Sequence, residues 1–323
     1  MLEPRFDFVT CANPAGLHRM AYTEWGDPGN GRVLLCVHGL TRTGRDFDDL
    51  ARRLAGDFRV VCPDVVGRGG SDWLSAPAFY TVPQYVSDMV TLIARLRPGS
   101  LAWVGTSMGG LIGLALAGAA AYARLAHAAQ PHAGAWPASQ DIRLERMVLN
   151  DVGPRLDPAA LGRISQYVGQ PAEFDTFAQA VDAVRQVSAP FGPHTDAQWE
   201  ALTRYVYVDR GGKWVKHYDL NLALPLASQT AEAYSAGEQI LWRSYEALDC
   251  PVLILRGAQS DLLTEATAAE MLARNPRASL LELAGVGHAP TLMDEAQVEP
   301  VARFLLGRPG PDDGFPCGAA AVQ

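Results

Sequence analysis

The segment Gly105-Thr106-Ser107-Met108-Gly109 places a serine between two glycines with the spacing G-x-S-x-G. It directly follows an apolar run at 101–104 and opens a stretch rich in Ala, Leu and Gly that is typical of a helix. At such a strand–turn–helix junction, Gly105 and Gly109 keep the turn free of side chains, so the Ser107 hydroxyl projects from it. The helix N-terminus behind the serine offers backbone donors and a partial positive charge to a developing oxyanion. We therefore predict that Ser107 is a nucleophile toward acyl carbon.

A serine hydroxyl is a weak nucleophile and needs a base that accepts its proton. Among the seven histidines, His288 lies in the glycine-rich segment 285–290, just after the last predicted strand at 279–283. A loop in this position places an imidazole at the carboxyl edge of the sheet. We predict that His288 is the base.

The imidazole in turn needs a carboxylate that holds the correct tautomer and stabilises the imidazolium. Asp261 lies beyond the predicted strand at 252–255, and the chain order is then Ser107, Asp261, His288. Asp151 is the alternative acid, because it follows the predicted strand at 147–150 on the same edge of the sheet. We favour Asp261 and interpret Asp151 as a turn or hydrogen-bonding residue.

A second turn follows the apolar run at 33–37 and contains His38, Gly39 and Leu40. Gly39 allows a sharp turn, after which the Leu40 amide is able to point toward the serine. With the Met108 amide it would form a two-donor oxyanion hole. His38 is predicted to be a structural hydrogen-bonding residue of this supporting turn, not a base.

The glycine-rich segment at 64–72 does not fit a phosphate-binding loop, because it matches neither G-x-x-x-x-G-K-[ST] nor G-x-G-x-x-G. We predict a turn braced by its Asp and Arg side chains. The sequence has no H-E-x-x-H or comparable ligand array, so we expect no metal and no cofactor.

Composition limits the partners and the location. The 323 residues carry a net charge of −8, which argues against nucleic acid and anionic membranes as partners. The longest apolar run, at 111–122, is shorter than the ~20 residues that cross a bilayer, so no membrane insertion is expected. Five widely spaced cysteines and an N-terminus without an apolar core indicate reduced thiols in a cytoplasmic protein.

Apolar runs alternate with helical patterns, which predicts an α/β fold with a mostly parallel, doubly wound sheet. The clearest helical stripe spans 82–96, and an antiparallel edge strand is predicted at 19–25. Residues 154–247 lack buried-strand runs and are predicted to form a helical cap. The core would then comprise 1–153 and 248–307. The segment 119–141 is expected to extend a helix before it loops over the surface, and 308–323 are expected to form a flexible tail.

These landmarks together resemble the α/β-hydrolase superfamily over residues 19–306. They are the His38-Gly39 turn, the turn at 64–71, the segment around Ser107, the Asp261 loop and the His288 loop. The resemblance implies an eight-stranded sheet with a cap between its sixth and seventh strands. Among subfamilies the sequence is similar to bacterial serine esterases and enol-lactonases, and the segment 119–141 is longer than usual for them.

The resemblance and the residues together predict a carboxylic ester hydrolase that acts on a small-molecule ester, lactone or thioester through an acyl-enzyme. An acyltransferase, a cofactor-free perhydrolase and a C–C bond hydrolase use the same three side chains and remain alternatives. A non-catalytic ligand-binding protein on this fold is a further alternative. The sequence indicates neither the substrate nor the oligomeric state.

Overall fold

The computed structural model describes residues 3–128 and 141–308. An eight-stranded sheet with the strand order β1-β2-β4-β3-β5-β6-β10-β11 forms its centre. The strands of the described chain are β1 (Arg5–Asn13), β2 (Gly16–Trp25), β3 (Arg32–Val37), β4 (Arg59–Pro63), β5 (Ser100–Thr106), β6 (Arg146–Asn150), β7 (Glu173–Phe174), β8 (Tyr207–Asp209), β9 (Trp214–Lys216), β10 (Val252–Gly257) and β11 (Ala278–Leu283).

The sheet is mostly parallel, as predicted: only the pairs β1–β2 and β2–β4 are antiparallel. The six apolar runs assigned to strands form β3, β4, β5, β6, β10 and β11. The strand predicted at the sheet edge is β2, and the edge position is taken by β1, which the sequence did not reveal. In β1 only Val9 and Cys11 are buried, so it lacks the continuous apolar run of a strand covered on both faces.

Helices cover both faces of the sheet. They are α1 (Asp48–Leu54), α2 (Val82–Leu96), α3 (Met108–Ala128), α4 (Pro158–Tyr167), α5 (Phe177–Val187), α6 (Asp196–Arg204), α7 (Ala223–Ala227), α8 (Ala231–Glu246), α9 (Glu265–Arg274) and α10 (Glu295–Leu306).

Each face of the sheet has its own hydrophobic core, and successive residues of one strand point into alternate cores. In β3, Val33 and Leu35 join the cluster that contains side chains of α2, α3, α8 and α9. Leu34 and Cys36 join the cluster that contains side chains of α1 and α10. This two-sided burial fixes the register of the strands, and with it the positions of the loops at their carboxyl ends.

Helix α3 starts at Met108, directly after the candidate nucleophile, and continues to Ala128, which confirms the expected helical extension; residues 129–140 lie outside the described part. By length and composition alone it is the one described helix that could cross a membrane. Its first turns pack against the sheet, because Ile112, Leu114 and Leu116 are buried in the core beside α2 and α8. This burial is typical of the central helix of a sheet protein.

The insertion lies between β6 and β10, which are the sixth and seventh strands of the central sheet in chain order. It contains α4 to α8 and a core of its own, in which Trp199, Leu202 and Tyr207 are buried. It also contains a small antiparallel sheet with the order β7-β9-β8, which the prediction of a helical cap missed. These strands have two or three residues each, too few for an alternating pattern in the sequence. Of the predicted tail, only Arg308 belongs to the described residues.

Candidate active site

The turn between β5 and α3 presents Ser107 with a left-handed backbone, at a φ of 52°. Glycine is required on both sides of it. A Cβ on Gly105 would lie 2.4 Å from the Gly109 carbonyl oxygen, and one on Gly109 would lie 1.9 Å from the Val37 carbonyl oxygen. Strand β3 therefore touches the first turn of α3 backbone to backbone, and this contact fixes the serine at the carboxyl edge of the sheet.

His288 lies in the loop after β11, and its imidazole connects the serine to an acid. Its Nε2 is 3.0 Å from Ser107 Oγ, and its Nδ1 is 2.8 Å from Asp151 Oδ2. Since Nδ1–H donates to the carboxylate, Nε2 is free to accept the serine proton. The side chain of His288 is 11 % exposed, and that of Asp151 is fully buried. The structure thus brings the predicted nucleophile and the predicted base into hydrogen-bond contact.

The prediction that Asp261 orients His288 is wrong in the structure. The Asp261 carboxylate is 2.7 and 2.8 Å from Nε and Nη2 of Arg163 on α4, and its side chain is 47 % exposed. The physical reason is the strand order. Strand β6 lies between β5 and β10, so the residue that follows β6 is nearer to Ser107 than the loop after β10.

The loop after β10 supports the carboxylate that contacts His288 instead of supplying it. The Gly257 amide donates to Asp151 Oδ1 at 2.9 Å, and the Ser260 hydroxyl donates to Oδ2 at 2.6 Å. With His288 these donors give the buried carboxylate three hydrogen bonds. Asp151 also has a left-handed backbone, with a φ of 55°. Sequence reasoning missed Ser260 and Gly257. The available signal was that Asp151, like Ser107, is the first residue after its strand.

The turn after β3 lies beside the nucleophile. A Cβ on Gly39 would be 3.7 Å from Ser107 Cβ, an ordinary van der Waals distance, so this turn is in direct contact with the nucleophile turn. Within the described residues, neither the Leu40 amide nor the Met108 amide has an intramolecular acceptor. Two free backbone donors therefore occur in the turns on either side of Ser107.

His38 is buried and keeps this turn in place. The Val65 amide donates to His38 Nε2 at 2.9 Å, and Nδ1 donates to the Gly39 carbonyl at 2.7 Å. Burial lowers the pKa of His38 to about 3, so the imidazole stays neutral at ordinary pH. His38 thus has the hydrogen bonds that a structural role requires.

The segment 64–71 forms the braced turn that was predicted. Asp64 accepts hydrogen bonds from the Gly44 amide at 2.7 Å and the Gly70 amide at 2.9 Å. The Arg68 guanidinium donates to the Leu40 carbonyl at 2.8 Å. Burial raises the pKa of Asp64 above its usual range. This turn connects β4 to the turn that holds Leu40.

The loop that carries His288 is held both by the central sheet and by the insertion between β6 and β10, which is called the cap from here on. The Gly287 amide donates to the Pro190 carbonyl of the cap at 2.6 Å. His194 Nε2 is 2.8 Å from Thr291 Oγ1, also across the boundary. On the core side, Asn150 Nδ2 donates to the Pro290 carbonyl at 2.9 Å. The cap therefore contributes to the position of the imidazole.

The model of the "Alpha/beta hydrolase family" matches residues 34–303 of this chain. The chain belongs to the alpha/beta hydrolase family. The eight-stranded sheet and the insertion between its sixth and seventh strands agree with this assignment. As a member of this family with a near relative that is a hydrolase, the chain is an enzyme with ester hydrolase activity.

This alpha/beta hydrolase is similar to two named hydrolases and to a solved structure. It is 52% identical to the 3-hydroxybutyrate-oligomer hydrolase of Cupriavidus necator, over 94% of this chain and 99% of that protein. It is 26% identical to the 2-(acetamidomethylene)succinate hydrolase of Mesorhizobium japonicum, over 81% of this chain and 83% of the relative. A solved alpha/beta hydrolase from Novosphingobium aromaticivorans has 34% identity and a TM-score of 0.77, over 95% of this chain and 99% of that structure.

One group of potential metal ligands occurs in the described part of this alpha/beta hydrolase. Cys11, His18 and Asp88 are buried and have ligand atoms within 4.8 Å of one another. Their polar atoms already have partners: His18 Nε2 is 3.1 Å from Asp88 Oδ2, and Gln84 donates to Asp88 Oδ1 at 2.8 Å. Burial raises the pKa of the Cys11 thiol to about 12, which disfavours the thiolate that binds metals. The group is a buried hydrogen-bond network between β1, β2 and α2.

Proposed function

We propose that this chain is a serine hydrolase that cleaves the ester bonds of 3-hydroxybutyrate oligomers. The observation that carries the mechanism is the continuous hydrogen-bond chain from Ser107 Oγ through His288 to Asp151, with distances of 3.0 and 2.8 Å. The observation that supports the substrate is the 52% identity to a 3-hydroxybutyrate-oligomer hydrolase along nearly the whole length of both chains.

In the acylation step, Ser107 Oγ attacks the ester carbonyl carbon while its proton passes to His288 Nε2. The amides of Leu40 and Met108 would hold the carbonyl oxygen as it becomes negative. The ester C–O bond then breaks, and the leaving alkoxide takes the proton from Nε2. The product that leaves is an oligomer with a free hydroxyl, and its acyl part stays on Ser107 as an ester.

In the deacylation step, a water molecule gives its proton to His288 Nε2 and attacks the acyl-enzyme. Collapse of the second tetrahedral intermediate breaks the bond to Ser107 Oγ, which recovers the proton from Nε2. Asp151 stabilises the imidazolium in both steps through its hydrogen bond to Nδ1. Each turnover releases one carboxylic acid, and no cofactor takes part in the proposed steps.

The proposal is tested with the linear dimer and trimer of 3-hydroxybutyrate, whose cleavage releases one acid for each ester bond. We expect the wild-type protein to convert both to the monomer, measured by pH-stat titration and chromatography. Ser107→Ala is expected to lower turnover by about 10⁶-fold, because it removes the nucleophile.

Two results would change the proposal in different ways. A wild-type protein that hydrolyses 4-nitrophenyl butyrate but leaves the dimer and trimer intact would refute the substrate class alone. Full activity of Ser107→Ala would refute the nucleophile. Faster ester exchange than hydrolysis in the presence of an added alcohol would favour the acyltransferase alternative.

A further inference from the structure

Arg68 is a fully buried cation, with 0 % exposure, in the turn that follows β4. Its guanidinium donates to the carbonyls of Leu40 at 2.8 Å and Val66 at 2.6 Å, and to the Tyr85 hydroxyl at 3.1 Å. It also contacts Met108 Sδ at 3.4 Å. Within the described residues no carboxylate forms an ion pair with it, so its direct partners are all neutral.

This arrangement is unusual because a buried charge normally has a charged partner that offsets its loss of hydration. The half-buried Arg59, for comparison, donates to Glu24 at 2.7 Å. For Arg68 the nearby compensation is aromatic, with its guanidinium 5.0 Å from the Tyr85 ring centre and 6.0 Å from that of Tyr80. Cation–π contacts offset only a small part of the hydration that a buried guanidinium gives up. Arg68 is therefore a buried positive charge that no direct ion pair with a described carboxylate neutralises; the buried Asp219 carboxylate is connected to its surroundings through the Tyr80 hydroxyl.

Two of the residues that the Arg68 guanidinium contacts are Leu40 and Met108, whose free amides lie beside Ser107. The guanidinium holds the carbonyl of Leu40, the residue after the Gly39 turn, and touches the side chain of Met108, the first residue of α3. It thus links the two turns that supply the candidate oxyanion donors. Among the described residues, no other side chain forms hydrogen bonds to both Leu40 and Met108.

We propose that Arg68 is a positioning residue for the oxyanion hole, which fixes the Leu40 and Met108 amides and adds a buried positive charge behind them. The inference rests on the proposed serine mechanism, but not on the proposed substrate. A neutral ester gains little from the charge, whereas the tetrahedral intermediate carries a negative oxygen in surroundings of low polarity. Arg68 therefore favours the transition state over the bound substrate.

A second set of contacts keeps the Arg68 turn under the cap. The Gly69 amide donates to the His217 carbonyl at 3.0 Å, and the Asp219 amide donates to the Gly67 carbonyl at 2.8 Å. The Tyr80 hydroxyl, next to Arg68, donates to the buried Asp219 carboxylate at 2.7 Å. These bonds hold the guanidinium in one place, as a preorganised electrostatic contribution requires.

The test uses 4-nitrophenyl butyrate and phenylboronic acid, which forms a tetrahedral adduct with a nucleophilic serine. In Arg68→Met, which keeps most of the volume but not the charge or the donors, we expect single-turnover acylation to slow by about 100-fold. The substrate Kd should change less than about threefold, and the affinity for phenylboronic acid should fall in parallel with the acylation rate. Arg68→Lys keeps the charge but loses the planar set of guanidinium donors. Its acylation rate and boronate affinity should lie between those of Arg68→Met and the wild type.

Controls separate this role from a loss of folded protein. Titration with an aryl phosphonate counts the competent active sites, and rates are expressed per competent site. Arg59→Gln, far from the site, is expected to lower Tm without any change in boronate affinity. If Arg68→Met is not recovered in folded form, Arg68→Lys decides the question.

Two outcomes would overturn the inference. In the first, folded Arg68→Met has the same acylation rate and boronate affinity as the wild type. If Arg68→Met is not recovered, the same result in folded Arg68→Lys counts instead. In the second, the lower acylation rate is explained entirely by a smaller number of competent active sites. Because the test uses an activated aryl ester, failure to cleave 3-hydroxybutyrate oligomers would refute the substrate and leave the role of Arg68 to be decided by this experiment.

Discussion

Two neighbouring parallel strands, β6 and β10, both end in loops that carry an aspartate, and the two carboxylates have opposite surroundings. Asp151 is fully buried and accepts hydrogen bonds from His288, Ser260 and the Gly257 amide. Asp261 is 47 % exposed and forms a bidentate ion pair with Arg163 of the cap. Chain order alone does not distinguish them, because each lies between Ser107 and His288 in the sequence.

The comparison shows that the position after the strand matters more than the order along the chain. Asp151 follows the last residue of β6 immediately, and β6 is hydrogen-bonded to β5, which ends before Ser107. Asp261 comes four residues after Gly257, the last residue of β10, where the chain has turned toward the cap. A side chain at the very end of a strand has its direction set by the sheet, whereas one further along a loop does not.

The largest expected effect separates the two acids. Asp151→Asn should lower kcat by about 10⁴-fold, because an amide does not stabilise the imidazolium and favours the wrong tautomer of His288. The measurement is the steady-state rate on 4-nitrophenyl butyrate. Asp261→Asn is the matched control, with the same chemical change one strand away. A larger loss in the control than in Asp151→Asn would reverse the assignment of the acid.

A smaller decrease in kcat is expected when Ser260, in the loop after β10, loses its hydrogen bond to Asp151. Ser260→Ala removes the 2.6 Å hydrogen bond to Oδ2 and should lower kcat by about tenfold, the equivalent of a hydrogen bond to a charged group. Ser165→Ala is a suitable control, because the Ser165 hydroxyl donates only to carbonyls of its own helix in the cap. Equal rates in the two variants would show that Ser260 does not orient the acid.

For Asp261→Asn itself we expect a change in kcat of less than about fivefold, since the exposed pair with Arg163 contributes at most ~1 kcal/mol. The same kinetic assay measures it, and a Tm scan checks that the fold is retained. A loss above 100-fold would mean that the Asp261 loop takes part in the chemistry.

The smallest expected effect is the coupling between Arg163 and Asp261. A double-mutant cycle with Arg163→Gln and Asp261→Asn, measured by urea unfolding, should give a coupling free energy of about 0.2–1 kcal/mol. The coupling should shrink in 1 M NaCl, because both side chains face solvent. A coupling of several kcal/mol that salt does not reduce would show that the Arg163–Asp261 pair is shielded from solvent. The surroundings of Asp261 would then resemble those of the buried Asp151.

Much of the fold was readable from the sequence because burial on both faces of a sheet leaves continuous apolar runs. This holds for β3, where the five residues from Val33 to Val37 are buried. Ser107 and His288 became candidates for a related reason, since glycines mark the turns that hold them. Gly109, against the Val37 carbonyl, is the clearest example.

The parts that could not be predicted depend on contacts between distant segments. Strand β1 forms because it pairs with β2 through antiparallel hydrogen bonds, and its own residues contain no continuous apolar run. The choice between Asp151 and Asp261 depends on which strand lies beside β5, and neither the loop sequences nor their spacing contains that information. The role proposed for Arg68 similarly depends on contacts with Leu40 and Met108, which lie far from it in the sequence.

The bonds between the cap and the core affect any attempt to redesign substrate range by exchanging the insertion. The Pro190 carbonyl accepts from Gly287, in the loop that carries His288, and the His217 carbonyl accepts from Gly69, beside Arg68. A grafted cap that lacks acceptors at these two points would leave main-chain donors without partners next to the reacting groups. Chimeras should therefore keep both attachment points from this chain and vary only the residues between them.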